Sequence, residues 1–255
     1  MNLMAGVAGR LRAAGCVFAE EEARWLVEAA PDPDRLAGMV EQRVAGLPLE
    51  HIVGWAQFCG RRVAVDPGVF IPRRRTELLV RRAAALACTG TSIVDLCCGS
   101  GAVGVAVAAL VPGVRLYAAD VDPAAVRCAE RNLAPLGGRV YRGDLYGALP
   151  AALRGGIQVL AANVPYVPSG AVDLMPREAR LHEPRVALDG GPDGLDQVRR
   201  VAAGAGEWLV PGGHVLVETG EDQAAAAAEL FGAAGLSPTV ESDEDLGATA
   251  IVGRM

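Results

Sequence analysis

An apolar strand, a glycine-rich turn and the start of a helix follow one another directly at residues 93–104. A unit of this kind begins a parallel α/β sheet, because a helix must carry the chain back before the next strand can pair. The next apolar segment, residues 114–119, ends in Asp120. An acid at the tip of the second strand, about 20 residues beyond the glycines, is placed to bind ribose hydroxyls. The two segments together predict an adenosine-type cofactor at the carboxyl edge of the sheet.

Later apolar segments continue the alternation of strands and helices. Strands are predicted at 139–141, 157–162, 214–218, 237–242 and 249–253, and helices at 123–136, 193–209 and 221–233. Repeated β-α units predict a mostly parallel sheet with helices on both faces. Because no helix separates the final two strands, we expect the last strand to run antiparallel. The fold class is therefore α/β, a doubly wound and mostly parallel sheet of seven strands.

The chain before the sheet is predicted to form a small helical domain, residues 1–50. Three acids open an amphipathic segment at 20–30, where the helix dipole favours negative charge. A second amphipathic segment at 36–47 follows a break at 31–34 that suits a helix cap. This domain is either a lid over the sheet or a platform for a macromolecular substrate.

A linker with short strands, residues 51–77, is expected to lead into the sheet domain at 78–255. Three consecutive arginines stand near its end, at 73–75. A run of this kind is usually a solvated face, and contact with an acidic partner is the alternative. A helix is predicted over 76–87, with Thr76 as its cap.

Residues 163–166, Asn-Val-Pro-Tyr, follow a predicted strand and so lie at the sheet edge where ligands bind. The Asn163 side-chain oxygen can accept one N–H of a flat –NH2 group. Pro165 lacks an N–H and biases Val164 toward extended backbone, which frees the Val164 carbonyl to accept the second N–H. Tyr166 can stack on the plane of the group. An ordinary proline turn is the alternative interpretation.

Composition excludes several classes of partner. The net charge of −6 argues against direct nucleic-acid contact. The six cysteines show no C-x-x-C spacing and no histidine partners at zinc spacing, so we predict free thiols and no metal. No apolar run reaches the length of a membrane span, and the N-terminus lacks the pattern of a signal peptide. We therefore predict a cytoplasmic protein without a membrane partner.

Four stretches resemble the protein N5-glutamine methyltransferase family of the HemK/PrmC type: residues 71–77, 95–101, 163–166 and 183–196. The resemblance implies a class I S-adenosylmethionine-dependent methyltransferase domain behind a helical N-terminal domain. It implies methyl transfer from S-adenosyl-L-methionine, with S-adenosyl-L-homocysteine as product, to a glutamine side chain of a protein. The family's substrates are the Gly-Gly-Gln loop of class I peptide-chain release factors and, in a sister branch, a ribosomal protein.

The resemblance also implies roles for individual residues. Asp95 would lie near the methionine ammonium of the cofactor, and Asp120 would bind the ribose. The other expected cofactor contacts are Cys97, Gly99, Gly101, Val121, Asp144, Leu145 and Asn163. The expected catalytic residues are Asn163, Val164, Pro165 and Tyr166, and the expected substrate contacts are Arg73, Thr76, Glu77, Glu183, Pro184 and Arg185. For Asp144, an ordinary turn acid is the alternative.

Several positions depart from the family's pattern. Cys97 stands where glycine is common, and because a side chain makes positive φ costly, we expect negative φ there. Val164 replaces a proline but acts through its carbonyl, so the change should be tolerated. Arg74 and Arg75 replace a proline and an acid. Together with a helical domain that looks shortened around residues 30–34, these arginines leave open a paralogue with another protein target.

Three other functions are compatible with the sequence. An adenine-N6 methyltransferase of nucleic acid faces the same chemical problem, an exocyclic –NH2 group, although the acidic charge weighs against it. A small-molecule amide or amine methyltransferase is the second. A cofactor-binding module without activity is the third.

Overall fold

The computed structural model describes residues 3–255, which begin with four helices. They are α1 (Leu3–Ala13), α2 (Ala19–Ala29), α3 (Pro33–Val44) and α4 (Leu49–Val53). The predicted break before α3 is present: the Asp32 side chain accepts a 2.8 Å hydrogen bond from the Arg35 N–H, and Pro33 occupies the first turn. The sequence pattern did not indicate α1 or α4. Apolar side chains of all four helices, including Leu11 and Leu26, form a common buried cluster.

A β-hairpin follows the helices. Its strands are β1 (Trp55–Phe58) and β2 (Arg61–Ala64), which pair antiparallel across the turn Cys59-Gly60. Both turn residues have positive φ, as tight hairpin turns require. Phe58 packs into the core of the sheet domain, while the ring of Trp55 lies 4.8 Å from that of Trp25 in α2. The hairpin therefore joins the helices to the sheet.

The remaining elements alternate as predicted. They are α5 (Glu77–Ala85), β3 (Ser92–Leu96), α6 (Ala102–Leu110), β4 (Arg115–Asp120), α7 (Pro123–Leu133), β5 (Arg139–Arg142), β6 (Ile157–Ala162), α8 (Arg177–His182), α9 (Asp196–Trp208), β7 (Leu209–Thr219), α10 (Ala224–Ala233), β8 (Ser237–Asp243) and β9 (Ala248–Arg254). The seven strands β3 to β9 form one sheet in the order β5-β4-β3-β6-β7-β9-β8. Strand β9 runs opposite to the other six strands of this sheet, so the predicted fold class is confirmed.

Apolar side chains cover both faces of this sheet. Helices α5, α6 and α7 pack on one face, and α9 and α10 pack on the other. The chain runs from β3 outward through β4 to β5 and then returns to β6 on the other side of β3. The strand order therefore reverses between β3 and β6, and ligands of α/β sheets bind at such a reversal. No helix among residues 3–255 is both long and apolar enough to cross a membrane.

Several boundaries differ from the predictions. Helix α9 begins at Asp196 rather than 193, because Gly194 has φ +76° in the preceding turn. Strand β7 begins at Leu209 rather than 214. Thr76 does not cap α5: it ends a 3₁₀ turn, and its side chain makes no capping hydrogen bond. The long segment 167–192 contains short helical turns, α8 and a single isolated bridge.

Candidate active site

A cavity of about 330 Å³ opens where the strand order reverses. This volume lies in the range of small-molecule sites. Turns after β3, β4 and β6 form its walls together with the linker before α5 and the segment between β6 and α9. Predicted site residues in the wall are Asp95, Cys97, Gly99, Asp120, Val121, Asp144, Leu145, Asn163, Val164, Pro165 and Tyr166. Residues far apart in the sequence thus share one cavity.

Asp95 is a buried acid at the end of β3, with 2% of its surface exposed. Its Oδ2 accepts a 3.0 Å hydrogen bond from the Gly104 N–H in α6. Burial, with a smaller contribution from the charge of Asp120, raises the pKa of Asp95 to about 8. Its Oδ1 makes no hydrogen bond to a described residue. A ligand cation placed beside this oxygen would favour the ionised carboxylate.

Asp120, at the end of β4, fixes the glycine-rich turn. Its Oδ2 accepts from the Gly99 N–H at 2.8 Å, and its Oδ1 accepts from the Asp122 N–H at 2.9 Å. Burial raises the pKa of Asp120 despite these stabilising hydrogen bonds. Each carboxylate oxygen keeps a further lone pair. Asp120 can therefore hold the turn and still accept hydrogen bonds from ligand hydroxyls.

The turn after β3 is strained at Cys97. The expectation of negative φ there is wrong, because φ is +56°. The chain follows the left-handed path that glycine takes without penalty, and here it carries a Cβ. Leu145, also in the cavity wall, has φ +47°. Such residues are held by the surrounding structure and cluster at ligand sites.

Gly101, the other glycine predicted in this turn, does not line the cavity. It has φ +77°, and a Cβ there would lie 3.0 Å from Leu133 Cδ1. Its role is close packing against α7. This packing lets α6 begin immediately behind the turn.

The two adjacent cysteines of the turn lie in surroundings that favour the protonated thiol. Burial raises the pKa of the Cys97 and Cys98 thiols, and the nearby charges of Asp95 and Asp120 add to this effect. Protonated thiols are poor nucleophiles and poor metal ligands. Over residues 3–255, no group of three His, Cys, Asp or Glu side chains could hold a metal ion.

Asn163 directly follows β6 and is oriented by Thr76. The Asn163 Nδ2 donates a 3.3 Å hydrogen bond to Thr76 Oγ1. This leaves Asn163 Oδ1 without a donor among the described residues. The Val164 carbonyl likewise accepts no hydrogen bond from them. The cavity wall therefore offers two free acceptors, one on a side chain and one on the main chain.

Tyr166 is held by a residue that sequence reasoning missed. Its hydroxyl donates a 2.7 Å hydrogen bond to Oε1 of Glu218, which is only 2% exposed at the end of β7. Arg75 Nε donates to the same oxygen at 3.0 Å, and its guanidinium lies 5.3 Å from the centre of the Tyr166 ring. An acid ending an otherwise apolar strand was the available signal. Arg75 therefore lies over the ring of Tyr166, which also lines the cavity.

The block at residues 183–196 supports the turn at 163–166. The Gly190 N–H donates to the Val167 carbonyl at 2.8 Å, and the Val167 N–H donates to the Leu188 carbonyl at 3.1 Å. A Cβ at Gly190 would lie 2.7 Å from the Pro165 carbonyl oxygen. Only glycine permits this approach. The block thus fixes the backbone from which the two free acceptors project.

Arg73 and Glu183, both predicted to contact substrate, bind each other. The Glu183 side chain is fully buried, and its two oxygens accept from Arg73 Nη2 at 2.6 and 2.7 Å. The Ile71 N–H also donates to Glu183 Oε1, at 3.1 Å. The pair joins the linker to the 183–196 block and so closes one wall of the cavity.

The other predicted substrate contacts divide into two groups. Thr76 and Pro184 line the cavity, as Arg73 does. Glu77 and Arg185 lie outside the lining, and each forms an ion pair with a residue four positions further on, Arg81 and Asp189. The lining also includes apolar residues for which the sequence analysis predicted no site role: Phe58, Phe70, Met175, Val186, Ala187 and Leu188.

On the cofactor side, Asp144 lines the cavity but is engaged. Its two carboxylate oxygens accept from Arg200 of α9 at 3.0 and 2.6 Å. Val121 is exposed, and Leu145 is buried beside Asp144. Val121 and Leu145 thus form an apolar wall, beside which the charge of Asp144 is balanced by Arg200.

Comparison with known proteins agrees with this architecture. Residues 61–174 match the family model described as Methyltransferase small domain. A methyltransferase from Pyrococcus furiosus superposes with a TM-score of 0.58 at 15% identity, covering 76% of this chain and 89% of that one. A likeness at this identity concerns the fold alone, and it supports the class I methyltransferase fold.

A release factor glutamine methyltransferase from Geobacter sulfurreducens is 32% identical over 96% of this chain and 92% of its own length. This chain belongs to the release factor glutamine methyltransferase family. The assignment confirms the family resemblance carried by the four stretches. A second relative from Streptomyces pristinaespiralis, named 4-amino-L-phenylalanine/4-methylamino-L-phenylalanine methyltransferase, is 38% identical over 81% of this chain and 73% of its own. Comparable identity thus extends to a protein named for small amino-acid acceptors.

Proposed function

We propose that this family member transfers the methyl group of S-adenosyl-L-methionine to the side-chain nitrogen of a glutamine in a protein. The first candidate substrate is the Gly-Gly-Gln loop of a class I peptide-chain release factor. The observation that carries the proposal is the pair of free acceptors, Asn163 Oδ1 and the Val164 carbonyl, in the wall of the cavity. They match the two N–H groups of a primary amide.

The residues of the cofactor side fit S-adenosyl-L-methionine. Asp95, whose Oδ1 makes no hydrogen bond to a described residue, would bind the ammonium group, and Asp120 would bind the ribose hydroxyls. Val121 and Leu145 would pack against the adenine. A Cβ built on Gly99 has its nearest neighbour, Phe70 Cβ, at 3.9 Å, so the turn is open on its cavity side. When bound, the cofactor supplies an electrophilic methyl group on a sulfonium.

The protein contributes mainly by positioning the acceptor. An amide nitrogen is a poor nucleophile because its lone pair is delocalised, and orientation can supply a large part of the lost rate. Asn163 and the Val164 carbonyl accept the two amide hydrogens and favour the positive charge that develops on nitrogen. The ring of Tyr166, in the cavity lining, packs against the amide plane. No strong base is required, because the proton can leave after transfer.

A small amine acceptor is the second candidate function. The relative named for 4-amino-L-phenylalanine favours it, because an aromatic amine presents the same two N–H groups as an amide. A protein acceptor remains the first choice because the relative that covers 96% of this chain is named for a release factor glutamine.

The proposal includes a cytoplasmic location and no direct nucleic-acid contact. A protein acceptor engaged in translation would be found in that compartment. The net charge of −6 disfavours binding to a polyphosphate backbone. A low-salt filter-binding assay with RNA and DNA would detect a nucleic-acid partner.

The test is mass spectrometry of a purified class I release factor after incubation with this protein and S-adenosyl-L-methionine. A gain of one methyl group on the Gly-Gly-Gln glutamine is expected. Asn163→Ala should abolish the gain, and Arg154→Gln, which changes an exposed ion pair with Glu207, should retain it. Methylation of 4-amino-L-phenylalanine with no methylation of the release factor would replace the first candidate by the second.

A further inference from the structure

We infer that Arg75 forms a binding subsite for a carboxylate carried by the methyl acceptor. The inference rests on the proposed function and specifies its substrate class: acceptors that carry, besides the nitrogen that is methylated, an acidic group within reach of the Arg75 guanidinium. The carboxylate can belong to an acidic side chain beside a glutamine or to the α-carboxylate of a free amino acid. Both sources present the same chemistry to the guanidinium.

The guanidinium of Arg75 is held in position, but only part of its hydrogen-bonding capacity is occupied. Its Nε donates a hydrogen bond to Glu218 Oε1 at 3.0 Å, and its central carbon lies over the Tyr166 ring, 5.3 Å from the ring centre. The side chain is 43% exposed and lines the cavity. Neither of its terminal nitrogens makes a hydrogen bond to a described residue. They are therefore available as a fork, the geometry with which arginine binds a carboxylate through two parallel hydrogen bonds.

Glu218 anchors this arginine without occupying the fork. Glu218 is buried, and its Oε2 has no hydrogen-bond partner among the described residues. Its charge is therefore stabilised through Oε1, by Arg75 and the Tyr166 hydroxyl. A buried acid in this position holds the arginine at the cavity wall, where an incoming carboxylate can still reach the two terminal nitrogens.

The subsite adjoins the acceptor position. Thr76, the next residue in the chain, bonds the Asn163 side chain, and Tyr166 lies beside the Arg75 guanidinium. A carboxylate held by Arg75 is thus close to an amide held by Asn163. The neighbouring arginines do not offer the same site: Arg73 donates from Nη2 to both oxygens of Glu183, and Arg74 is exposed outside the cavity lining.

The experiment compares acceptors that differ only in a negative charge. One pair is a glutamine peptide with a neighbouring Asp and the same peptide with Asn in its place. The other pair is 4-amino-L-phenylalanine and 4-(2-aminoethyl)aniline, which keeps both amino groups and lacks only the carboxylate. Binding of each is measured by calorimetry in the presence of S-adenosyl-L-homocysteine, and kcat/KM is measured with S-adenosyl-L-methionine. The proteins are the wild type, Arg75→Gln, Arg75→Lys and, as the control with an equal charge change, Arg74→Gln.

In the wild type and Arg74→Gln, the member of at least one pair that carries the carboxylate should bind about tenfold more tightly, as a charge-assisted hydrogen bond provides. The preference should nearly vanish in Arg75→Gln and be intermediate in Arg75→Lys, which keeps the charge but not the fork. Equal binding of both members of both pairs by the wild type would overturn the subsite, as would a preference that survives in Arg75→Gln. Turnover of the amino acid but not of either peptide would count against the proposed protein substrate while leaving the subsite supported.

Discussion

The Tyr166 hydroxyl donates a 2.7 Å hydrogen bond to Glu218 Oε1, across 52 positions of sequence. Burial and the charge of Glu218 raise the pKa of Tyr166, so the phenol stays protonated and acts as the donor. The end of β7 thereby fixes the aromatic residue that closes the 163–166 turn. This relationship makes Glu218 a positioning residue for the proposed chemistry.

Glu218→Ala should therefore lower kcat for methyl transfer by about 100-fold, the scale expected when a group at the site is displaced by about 1 Å. Binding of S-adenosyl-L-methionine, measured by calorimetry, should change little, because Glu218 lies outside the cofactor side. The matched control is Glu221→Ala, an exposed acid just beyond the same strand. A Glu218→Ala protein with wild-type kcat would show that Tyr166 needs no anchor.

Cys97→Gly should raise the free energy of unfolding by up to about 1 kcal/mol, because the left-handed backbone would no longer carry a Cβ. Cys97→Val should lower it by at least about as much, since β-branched residues tolerate positive φ poorly. Urea denaturation measures both. Cys88→Gly, at an exposed residue without positive φ, should not stabilise the protein. Stabilisation by Cys97→Val would contradict the strain seen at this turn.

The stability of the ligand-free protein should depend on Asp95. Its pKa of about 8 lies above its ordinary value of 3.8, so between these values the native state binds a proton that the unfolded chain has released. Stability should therefore fall as pH rises through this window, by on the order of 2 kcal/mol between pH 6 and pH 8 from this residue. Asp95→Asn keeps an acceptor for the Gly104 N–H and should remove this contribution to the fall of stability with pH.

The same substitution should weaken S-adenosyl-L-methionine binding at least about tenfold, because a charge-assisted hydrogen bond to the ammonium is lost. Denaturation curves at both pH values and calorimetric titration with the cofactor test the two effects. If Asp95→Asn left the dependence of stability on pH unchanged, a group other than Asp95 would bind the proton. An unchanged affinity for the cofactor would show that Asp95 does not contribute to cofactor binding.

Gly190→Ala should reduce methyl transfer by at least about tenfold, because its Cβ would meet the Pro165 carbonyl oxygen at 2.7 Å and displace the turn that carries the acceptors. The loss should appear in kcat more than in cofactor affinity. Gly38→Ala is the control, since a Cβ there meets nothing within 4 Å and α3 should gain stability. Full activity of Gly190→Ala would mean that the 183–196 block does not set the turn.

The fold followed from local sequence signals. Alternating apolar runs and turns indicated β3 to β9, and the missing helix before β9 indicated its reversed direction. Local signals did not indicate that β9 lies between β7 and β8, because that arrangement depends on pairing between distant strands. Helices α1 and α4 were missed for a related reason. Helix α4 has only five residues, and α1 is weakly patterned and buries its apolar face against α2 and α3.

The candidate site was predicted less completely than the fold. Asp95, Asp120 and the 163–166 turn end strands, so their place at one sheet edge followed from the topology. The Arg73–Glu183 pair joins residues 110 positions apart, and each residue alone suggested contact with substrate. The backbone of Cys97 could not be predicted from residue type, because its surroundings hold a positive φ that a side chain disfavours. Long-range contacts therefore decide which predicted residues face the cavity and which support it.

The rate of methyl transfer by Asn163→Ala, with saturating S-adenosyl-L-methionine and a glutamine acceptor, tests the central claim most directly. Single-turnover mass spectrometry measures transfer without interference from product release. We predict a loss of at least about 100-fold, because the acceptor nitrogen would no longer be aimed by the Asn163 oxygen. Thr76→Val, which removes only the support of that side chain, should give a smaller loss. An Asn163→Ala rate within a few-fold of wild type would contradict the account.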